Sequence, residues 1–518
     1  MRTNISLDRW AVTLLIVLSM ALATMPATGA DSDDVLTVGE LFDIKSADPI
    51  QSGSMLTEKA LITESLVGVN SDLSLKPELA ESWTQIDEKT WEIKLRDDVF
   101  FHDGSRMTAD EVKLSLERAA ELDSKTESLL DMESIEVIDE STLRIHTNEL
   151  NPILPAVLHY STIAIISPSS LDPDGEFNSP IGTGPFMMES FDPQTHVLTV
   201  VRNDKWWGGE VKLSKMILKP ILDPNTRALA LENGDVDFTV DVPYSEADRI
   251  GNISGINVEK YENPRIYVLD FNTKKAPLND VRVRKAIAYG VDASTIVKYI
   301  LFDIGKPAIG PFMPEFSWAN KNLMAYEQDK EAARALLEEA GWADSDGDGL
   351  MDKDGEDLVI DLITYPNRPG LPPMAEAIAG QLQEVGIKLN VEVAESGVID
   401  ERRKTGDWDI YLQAMNTAMV PDPTYYLGLT YKTGGAYNYP EYSNSRVDDL
   451  LDEASQTTDE QNRLEITNEI QSIVQDEIPV LTVAYYGVIV ASKDYVKGYQ
   501  YDPTAHDYKL SPEMYIEK

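Results

Sequence analysis

Apolar and polar positions alternate over residues 266–272, and this pattern predicts a half-buried strand. The alternation stops at Ala276, Pro277 and Leu278. Asn279 then stands where it can cap a helix. The apolar positions of that helix recur at helical spacing and share one face: Val283, Ala286, Ile287 and Gly290. The segment therefore predicts a strand leading directly into a helix, and its cationic residues Arg282, Arg284 and Lys285 are interpreted as surface or packing charges.

Stretches with strand-like alternation and stretches with helical spacing of apolar residues follow one another along most of the chain. Strands are predicted at residues 35–42, 90–95, 358–364, 387–393, 408–413, 480–484 and 488–491. Helices are predicted at residues 56–66, 331–340 and 375–385. The strand–helix–strand order of the second half is typical of an α/β fold.

Local sequence patterns predict two helix N-termini and one segment where the backbone packs closely against its neighbours. Thr108 with Glu111, and Thr458 with Gln461, have the spacing of capping boxes. The glycines in the segment 181–186, IGTGPF, predict a path that a side chain would block.

The first thirty residues have the composition of an export signal. Arg2 and Arg9 precede an apolar run over residues 11–25, and small residues at 28–30 offer a cleavage site. We predict a signal peptide at residues 1–30, and a retained membrane anchor is the alternative. The run is short for a membrane span, which needs about 20 residues.

Charge and cysteine content exclude several classes of partner. The chain has 518 residues, enough for two or three domains, and a net charge of -44 from 89 acidic and 45 basic residues. Nucleic acid and anionic membranes are poor partners for such a surface. The acids are spread along the chain, which favours a solvated exterior over a field for cationic solutes. With no cysteine, disulfides and a thioether lipid anchor are excluded.

No catalytic motif is present in the sequence. The five histidines are far apart, and neither HExxH nor GxSxG occurs. The sequence therefore predicts a protein that is not an enzyme, with a secreted hydrolase as the remaining alternative.

Several phrases together resemble one large family. They are PELAESW at 77–83, WEIKLRDDVFFHDG at 91–104, MTADEV at 107–112, IGTGPF at 181–186, DPNTRALALENGDVD at 223–237 and YVLDFNTKKAPLNDVRVRKAIAYGVD at 267–292. These motifs are similar to those of extracellular solute-binding protein family 5, the receptors of peptide and nickel ABC importers. The resemblance covers roughly residues 35–501.

The resemblance implies an α/β fold of two lobes with a ligand cleft between them, the periplasmic-binding-protein-like fold of the large peptide-binding type. Lobe I would comprise residues 31–272 and 483–518, with an extra subdomain at about 67–168, and lobe II would comprise 273–482. The chain would cross between lobes near Asn272 and Thr482, which places Phe271 and Asn272 beside the cleft.

The resemblance also implies ligand contacts. Family peptide receptors use an aspartate before a proline to pair with the peptide's ammonium group, and Asp422 stands in that position, although Asp-Pro also suits a plain turn. Arg368 is the candidate partner for a peptide carboxylate, and Pro372 and Pro373 stand where an arginine pair is expected. Aromatic residues of the next segment are candidate cleft liners: Tyr425 and Tyr426.

Nickel receptors of the family are the alternative for the ligand. They hold a nickel chelate with arginines on lobe I and a histidine on lobe II, whereas residues 160–168 contain no arginine and no histidine lies near Asp422. We therefore expect an extracytoplasmic, monomeric receptor that binds peptides and delivers them to a membrane permease. No cofactor is required for this function.

An acidic glycine-rich stretch at residues 344–352 has the pattern of a calcium loop. Carboxylates stand at its first, third, fifth and ninth positions, and glycine stands at the sixth. The candidate ligands are Asp344, Asp346, Asp348 and Asp352, for a structural Ca²⁺. The twelfth position is Gly355 rather than glutamate, and a plain hairpin turn is the favoured alternative.

Overall fold

The computed structural model describes residues 34–51, 54–504 and 508–518, so the predicted signal peptide at 1–30 lies outside the described residues. The strands, in chain order, are β1 (Val35–Glu40), β2 (Val67–Val69), β3 (Leu75–Pro77), β4 (Ala80–Asp87), β5 (Thr90–Leu95), β6 (Met132–Asp139), β7 (Thr142–Thr147), β8 (Phe186–Phe191), β9 (Leu198–Arg202), β10 (Lys215–Pro220), β11 (Phe238–Val240), β12 (Ile256–Phe271), β13 (Gly305–Pro307), β14 (Asp352–Lys353), β15 (Glu356–Asp357), β16 (Val359–Thr364), β17 (Lys388–Val393), β18 (Ile410–Asn416), β19 (Val480–Lys493), β20 (Val496–Lys497) and β21 (Tyr515–Ile516).

The α-helices are α1 (Ser54–Lys59), α2 (Ala109–Leu122), α3 (Ser124–Leu130), α4 (Leu154–Val157), α5 (Pro224–Asn233), α6 (Ala247–Gly251), α7 (Val281–Gly290), α8 (Ala293–Tyr299), α9 (Lys330–Glu339), α10 (Leu371–Gln383), α11 (Ser396–Thr405), α12 (Pro423–Tyr431), α13 (Ser445–Ser455) and α14 (Glu460–Glu477). The helix predicted at 56–66 is wrong in length, since α1 ends at Lys59.

One mixed sheet carries most of the long strands. Its order is β17-β16-β18-β12-β19-β11-β1-β10-β9-β8, with β13 added on β19. Pairing is parallel on both sides of β1 and of β16, and antiparallel where β12 meets β18 and β19. The parallel pairs reflect the strand–helix alternation of the sequence, because a parallel neighbour requires a crossover connection.

A separate antiparallel sheet of order β4-β5-β7-β6 forms within the range predicted for the extra subdomain. Helix α2 packs on it, and its start confirms the predicted capping box. The Thr108 hydroxyl accepts from the backbone N–H of Asp110, and the Glu111 carboxylate accepts from the Thr108 N–H. The boundaries of the lobes and of this subdomain stay predictions.

Two other predicted caps are displaced by one residue. Helix α7 is capped by Asp280 rather than Asn279, and α14 is capped by Asp459 rather than Thr458. In both cases an aspartate stands next to the predicted residue, and its carboxylate accepts from an N–H of the first turn. A carboxylate also interacts favourably with the positive end of the helix dipole.

The strand predicted at residues 266–272 is longer and more buried than its alternation indicates. β12 begins at Ile256, and all its residues from Asn263 to Phe271 are buried. Both faces are covered because alternate residues of the strand pack into two different hydrophobic clusters, Leu269 and Phe271 into one and Ile266 and Val268 into the other. The two strands predicted near 480–491 are likewise one, β19.

Candidate functional site

The two longest strands, β12 and β19, pair antiparallel along almost their whole length. Their register shifts between Asn263 and Ile266, where Pro264 has no N–H to donate. Before this bulge β19 has β11 as its other neighbour, and after it β12 has β18 as its other neighbour. The bulge is therefore where the two halves of the large sheet join, and bulges re-aim side chains at such places.

Four buried polar side chains meet at this bulge, and we call them the bulge cluster: Asp241, Arg265, Arg368 and Tyr486. The Tyr486 hydroxyl donates to Asp241 Oδ2 at 2.5 Å, and Arg368 Nη1 lies 3.7 Å from the same oxygen. Arg368 also donates to the Tyr486 hydroxyl at 3.4 Å. None of the four is more than 3% exposed.

Two guanidinium groups lie close to the Tyr486 ring. The Arg265 and Arg368 guanidinium carbons are 5.9 Å and 5.5 Å from its centre. Burial, reinforced by the Asp241 carboxylate, raises the pKa of the Tyr486 hydroxyl, so this group stays protonated and donates. The cluster thus brings two cations and one anion into the interior of a strongly acidic protein.

The backbone at Asp241 is also unusual. Its φ is 49°, in the left-handed region that residues other than glycine seldom adopt. Buried ions contribute little to net stability because desolvation offsets their attraction. Strained backbone and buried ions together are typical of a functional site rather than a purely structural one.

A second group of side chains joins distant parts of the chain around the Lys125 ammonium, and we call it the phenol cage: Lys125, Tyr160, Tyr425 and Tyr437. Tyr425 belongs to it through its ring, whose centre lies 6.2 Å from that of Tyr160. Lys125 Nζ donates to the hydroxyls of Tyr437 at 2.5 Å and Tyr160 at 3.5 Å, and it lies 4.7 Å from the Tyr437 ring centre. Lys125 belongs to α3, whereas Tyr425 and Tyr437 lie in and after α12. Predicted lobe I and predicted lobe II therefore touch here.

The structure places Asp422 at the N-terminus of α12. Its Oδ1 accepts from the backbone N–H and the hydroxyl of Thr424 at 2.9 Å and 2.5 Å, and its Oδ2 accepts from Arg463 at 3.2 Å. Both carboxylate oxygens are thus used within the chain, as a cap and an ion pair. Its role as the partner of a peptide ammonium stays a prediction.

The other predicted cleft residues are divided between the two groups and the core. Arg368 belongs to the bulge cluster and Tyr425 to the phenol cage. Tyr426 is buried, with its ring 5.8 Å from Phe312. Phe271 is fully buried, and Asn272 donates to the Trp408 carbonyl oxygen at 3.1 Å. Their ligand roles stay predictions.

Sequence analysis missed Asp241, Arg265, Tyr486 and Lys125. A signal existed for Arg265, because the Asn-Pro-Arg triplet places a proline inside a long strand. Asp241 follows the short strand β11, whose three residues are all buried. Nothing in the sequence indicates that these two residues meet Arg368.

The acidic loop at residues 344–352 is mostly exposed, and its carboxylates accept hydrogen bonds from the loop itself. Carboxylate oxygens of Asp344, Asp346 and Asp348 lie within 4.8 Å of one another. Asp344 accepts from the N–H groups of Gly347 and Gly349 at 2.7 Å and 3.2 Å. Asp352 lies outside this group, since its carboxylate accepts from the N–H and hydroxyl of Ser345. The calcium site stays a prediction.

Two predictions about packing are confirmed. A Cβ at Gly182 would lie 2.1 Å from the Ile62 carbonyl oxygen, so a side chain cannot be accommodated there. Arg284 is buried and donates to backbone carbonyl oxygens of Leu278, Glu477 and Ile478. It is a packing charge and not a ligand contact in this structure.

Comparison with known proteins identifies the class. The family model described as bacterial extracellular solute-binding proteins, family 5 middle, matches residues 74–438. A nickel-binding protein, NikA, of Staphylococcus aureus is 28% identical over 443 residues, which are 85% of this chain and 86% of that protein. A glutathione-binding protein, GsiB, of Salmonella typhimurium is 26% identical over 512 residues, covering 93% and 94%.

Solved structures agree with this class. The crystal structure of NikA from Staphylococcus aureus in complex with Ni(L-His)2 has a TM-score of 0.83 at 26% identity, covering 93% of this chain and 100% of that one. The oligopeptide-binding protein AppA from Bacillus subtilis, in complex with a nonapeptide, has a TM-score of 0.79 at 22% identity, covering 93% and 99%, which shows the fold alone.

The fold is that of a two-lobed solute-binding protein. The chain belongs to family 5 of the bacterial extracellular solute-binding proteins. It is a substrate-binding protein of an ABC transporter and not an enzyme. The family, the fold class and the receptor function predicted from sequence are thereby confirmed. Among the described residues, every helix is too short or too polar to cross a bilayer.

Proposed function

We propose that this receptor captures short peptides outside the membrane and delivers them to its permease, acting as a monomer exported by residues 1–30. The bulge cluster carries the proposal. It offers a guanidinium for a carboxylate and, within 3.7 Å, a carboxylate for an ammonium. A peptide carries both of these groups at its ends, so its backbone can be held without regard to side chains.

The energetics favour binding at this place. A hydrogen bond to a charged group contributes about 1.5–3 kcal/mol, and it is stronger where the site is buried away from water. The guanidinium of Arg368 can also hold a carboxylate with two parallel bonds. A ligand that engages both lobes only when they approach stabilises the closed state, which is how such a receptor signals occupancy.

A nickel chelate is the second candidate, and the nickel-binding relatives favour it. The same arginines would hold the carboxylates of an organic chelator. The four described histidines bond elsewhere: His102 to Gly184, His146 to Thr90, His159 to Val67 and Thr504, and His196 to Asp43. Within the described residues, therefore, none of them belongs to the bulge cluster.

Native mass spectrometry of the purified protein separates these candidates. A peptide receptor is expected to carry peptide masses, and a nickel receptor a metal or a metal–amino-acid complex. A secreted hydrolase would instead turn over a substrate. The proposal of peptide binding fails if only the metal complex is found.

Calorimetry with Arg368→Ala tests the site itself. Loss of a buried charged hydrogen bond predicts at least a hundredfold weaker binding of the co-purified ligand, about 2.7 kcal/mol. Arg118→Ala is the matched control, because Arg118 is also a largely buried arginine paired with an aspartate, Asp48, and touches none of the candidate site residues. Equal losses in both variants would assign the effect to folding instead of binding.

A further inference from the structure

A second cavity of about 410 Å³ lies away from the bulge cluster, between the β2–β3 hairpin and residues 500–503 and 509–513 near the C-terminus. None of the four cluster residues lines it. Its walls carry charges of both signs: Glu64, Glu78 and Asp502 against Lys76 and Lys509. Small-molecule pockets have about 300–1,000 Å³, so the cavity has room for a solute of a few heavy atoms to a dipeptide.

One wall of the cavity is rigid. The indole N–H groups of Trp206 and Trp207 donate to the two oxygens of Glu64 at 2.9 Å each, and the Thr183 hydroxyl donates at 2.7 Å. Burial raises the pKa of Glu64, and these three donors oppose that rise. The orientation of the Glu64 carboxylate is therefore fixed before any solute enters.

Two further polar groups of the cavity make no side-chain hydrogen bond within the described part of the chain. Lys509 forms no ion pair or side-chain hydrogen bond with any described residue. The hydroxyl of Thr63, a residue only 4% exposed, likewise has no hydrogen bond there. Lys509 is half-buried among the carboxylates of Glu78 and Asp502, and Thr63 is buried, so both groups retain hydrogen-bonding capacity for a polar occupant of the cavity.

The charges on the cavity walls determine which kind of solute the cavity can bind. Burial lowers the pKa of Lys509, but Glu78, Glu58 and Asp502 outweigh this and raise it, so the ammonium stays charged. A simple cation in the cavity would be attracted by the carboxylates but repelled by Lys76 and Lys509. A simple anion would be repelled by the carboxylates of Glu64 and Asp502. A solute that carries both charges avoids both penalties.

We propose that this cavity is a second binding site, for a small zwitterion with an α-ammonium and an α-carboxylate. The carboxylate of the solute faces Lys509, and its ammonium faces Glu78 and Asp502. A free amino acid and a dipeptide share this chemistry. The site is independent of the cleft between the lobes and does not depend on the ligand bound there.

Calorimetry and native mass spectrometry of the full-length protein test the proposal, with L-alanine and L-alanyl-L-alanine as probes. We expect a binding event that Lys509→Met weakens at least about tenfold and that Arg368→Ala leaves unchanged. Glu78→Gln is expected to weaken the same event, and Lys509→Arg to retain it. Binding of only one probe identifies the source of the zwitterion.

Thermal unfolding of each variant accompanies the titrations. If Lys509→Met does not fold, Glu78→Gln and Lys509→Arg decide the outcome. The proposal is overturned if neither probe binds at millimolar concentration, which would mean that the cavity holds water alone. It is also overturned if every event is abolished by Arg368→Ala, since the probes would then bind only in the cleft between the lobes.

Discussion

Asp241 and Asp422 are both buried aspartates that face an arginine, yet their surroundings differ in origin. Asp422 caps its own helix and pairs with Arg463, which lies 41 residues along the chain. Asp241 is joined to Tyr486, 245 residues away, and faces Arg368 from another distant segment. Burial and an ion pair alone therefore do not distinguish a ligand site from a helix start. We therefore use partners from separate parts of the fold as the criterion for the candidate site.

The largest expected effect separates these two aspartates directly. Asp241→Asn leaves Arg368 without its carboxylate, and breaking a buried pair costs about 3–5 kcal/mol. Asp422→Asn is expected to cost less, because asparagine keeps the helix cap and the partner Arg463 is more exposed than Arg368 and can regain water contacts. Urea unfolding of both variants measures the difference, and equal losses would contradict the distinction.

Asp422→Ala tests the ligand role predicted from the sequence. A tenfold or larger loss of peptide affinity, about 1.4 kcal/mol, is expected if Asp422 pairs with the peptide ammonium. Unchanged affinity by calorimetry removes Asp422 from the site and leaves Asp241 as the candidate.

A third buried aspartate, Asp270, sharpens the comparison because its carboxylate accepts from the amide of Gln413 rather than from an arginine. Burial raises its pKa to about 7, with Gln413 and Arg403 opposing the rise. Between about pH 4, the unfolded pKa, and pH 7 the native state holds a proton that the unfolded chain has lost. This contribution therefore makes the wild type less stable as pH rises through that window.

Asp270→Asn removes the carboxyl group that binds this proton in the native state. The variant is expected to gain stability relative to the wild type at pH 8, by up to about 4 kcal/mol, and little at pH 4. Urea unfolding across this range measures the change. A difference that is the same at every pH would show that Asp270 is ionised in the folded protein.

The phenol cage gives a smaller effect on binding. Lys125→Met removes the ammonium that joins α3 to Tyr437, so the closed state loses a contact and ligand affinity should fall about tenfold. Small-angle scattering should show a larger radius of gyration without ligand. Lys113→Met on the neighbouring α2 is the control, and an equal effect there would dismiss the cage as a closing contact.

The smallest effect is expected at the exposed acidic loop. If it binds calcium, replacing Asp346 and Asp348 with asparagine lowers the thermal stability in calcium but not in chelator. Thermal unfolding in the two buffers measures this. Equal shifts in both would end the calcium hypothesis and favour the plain turn.

The sequence predicted local features well where neighbouring residues decide them. The capping box at Thr108, the strand Thr90–Leu95 and the close approach at Gly182 follow from spacing and residue type. The caps of α7 and α14 were missed by one residue because two candidate capping residues stand side by side. The resemblance to the family predicted the two-lobed receptor, because the matching sequence motifs are spread over most of the chain.

Tertiary structure alone decided the composition of the candidate site. Arg368 was identified from its loop, but its neighbours Asp241, Arg265 and Tyr486 come from three other segments. A buried central strand conceals the period-two pattern that would show which side chains face a cleft, because both of its faces are covered. The sequence by itself determined the kind of protein, since local propensities and motifs are written in consecutive residues. The folded chain determined which charges meet, because distance in space is fixed only when β12 and β19 bring the segments together.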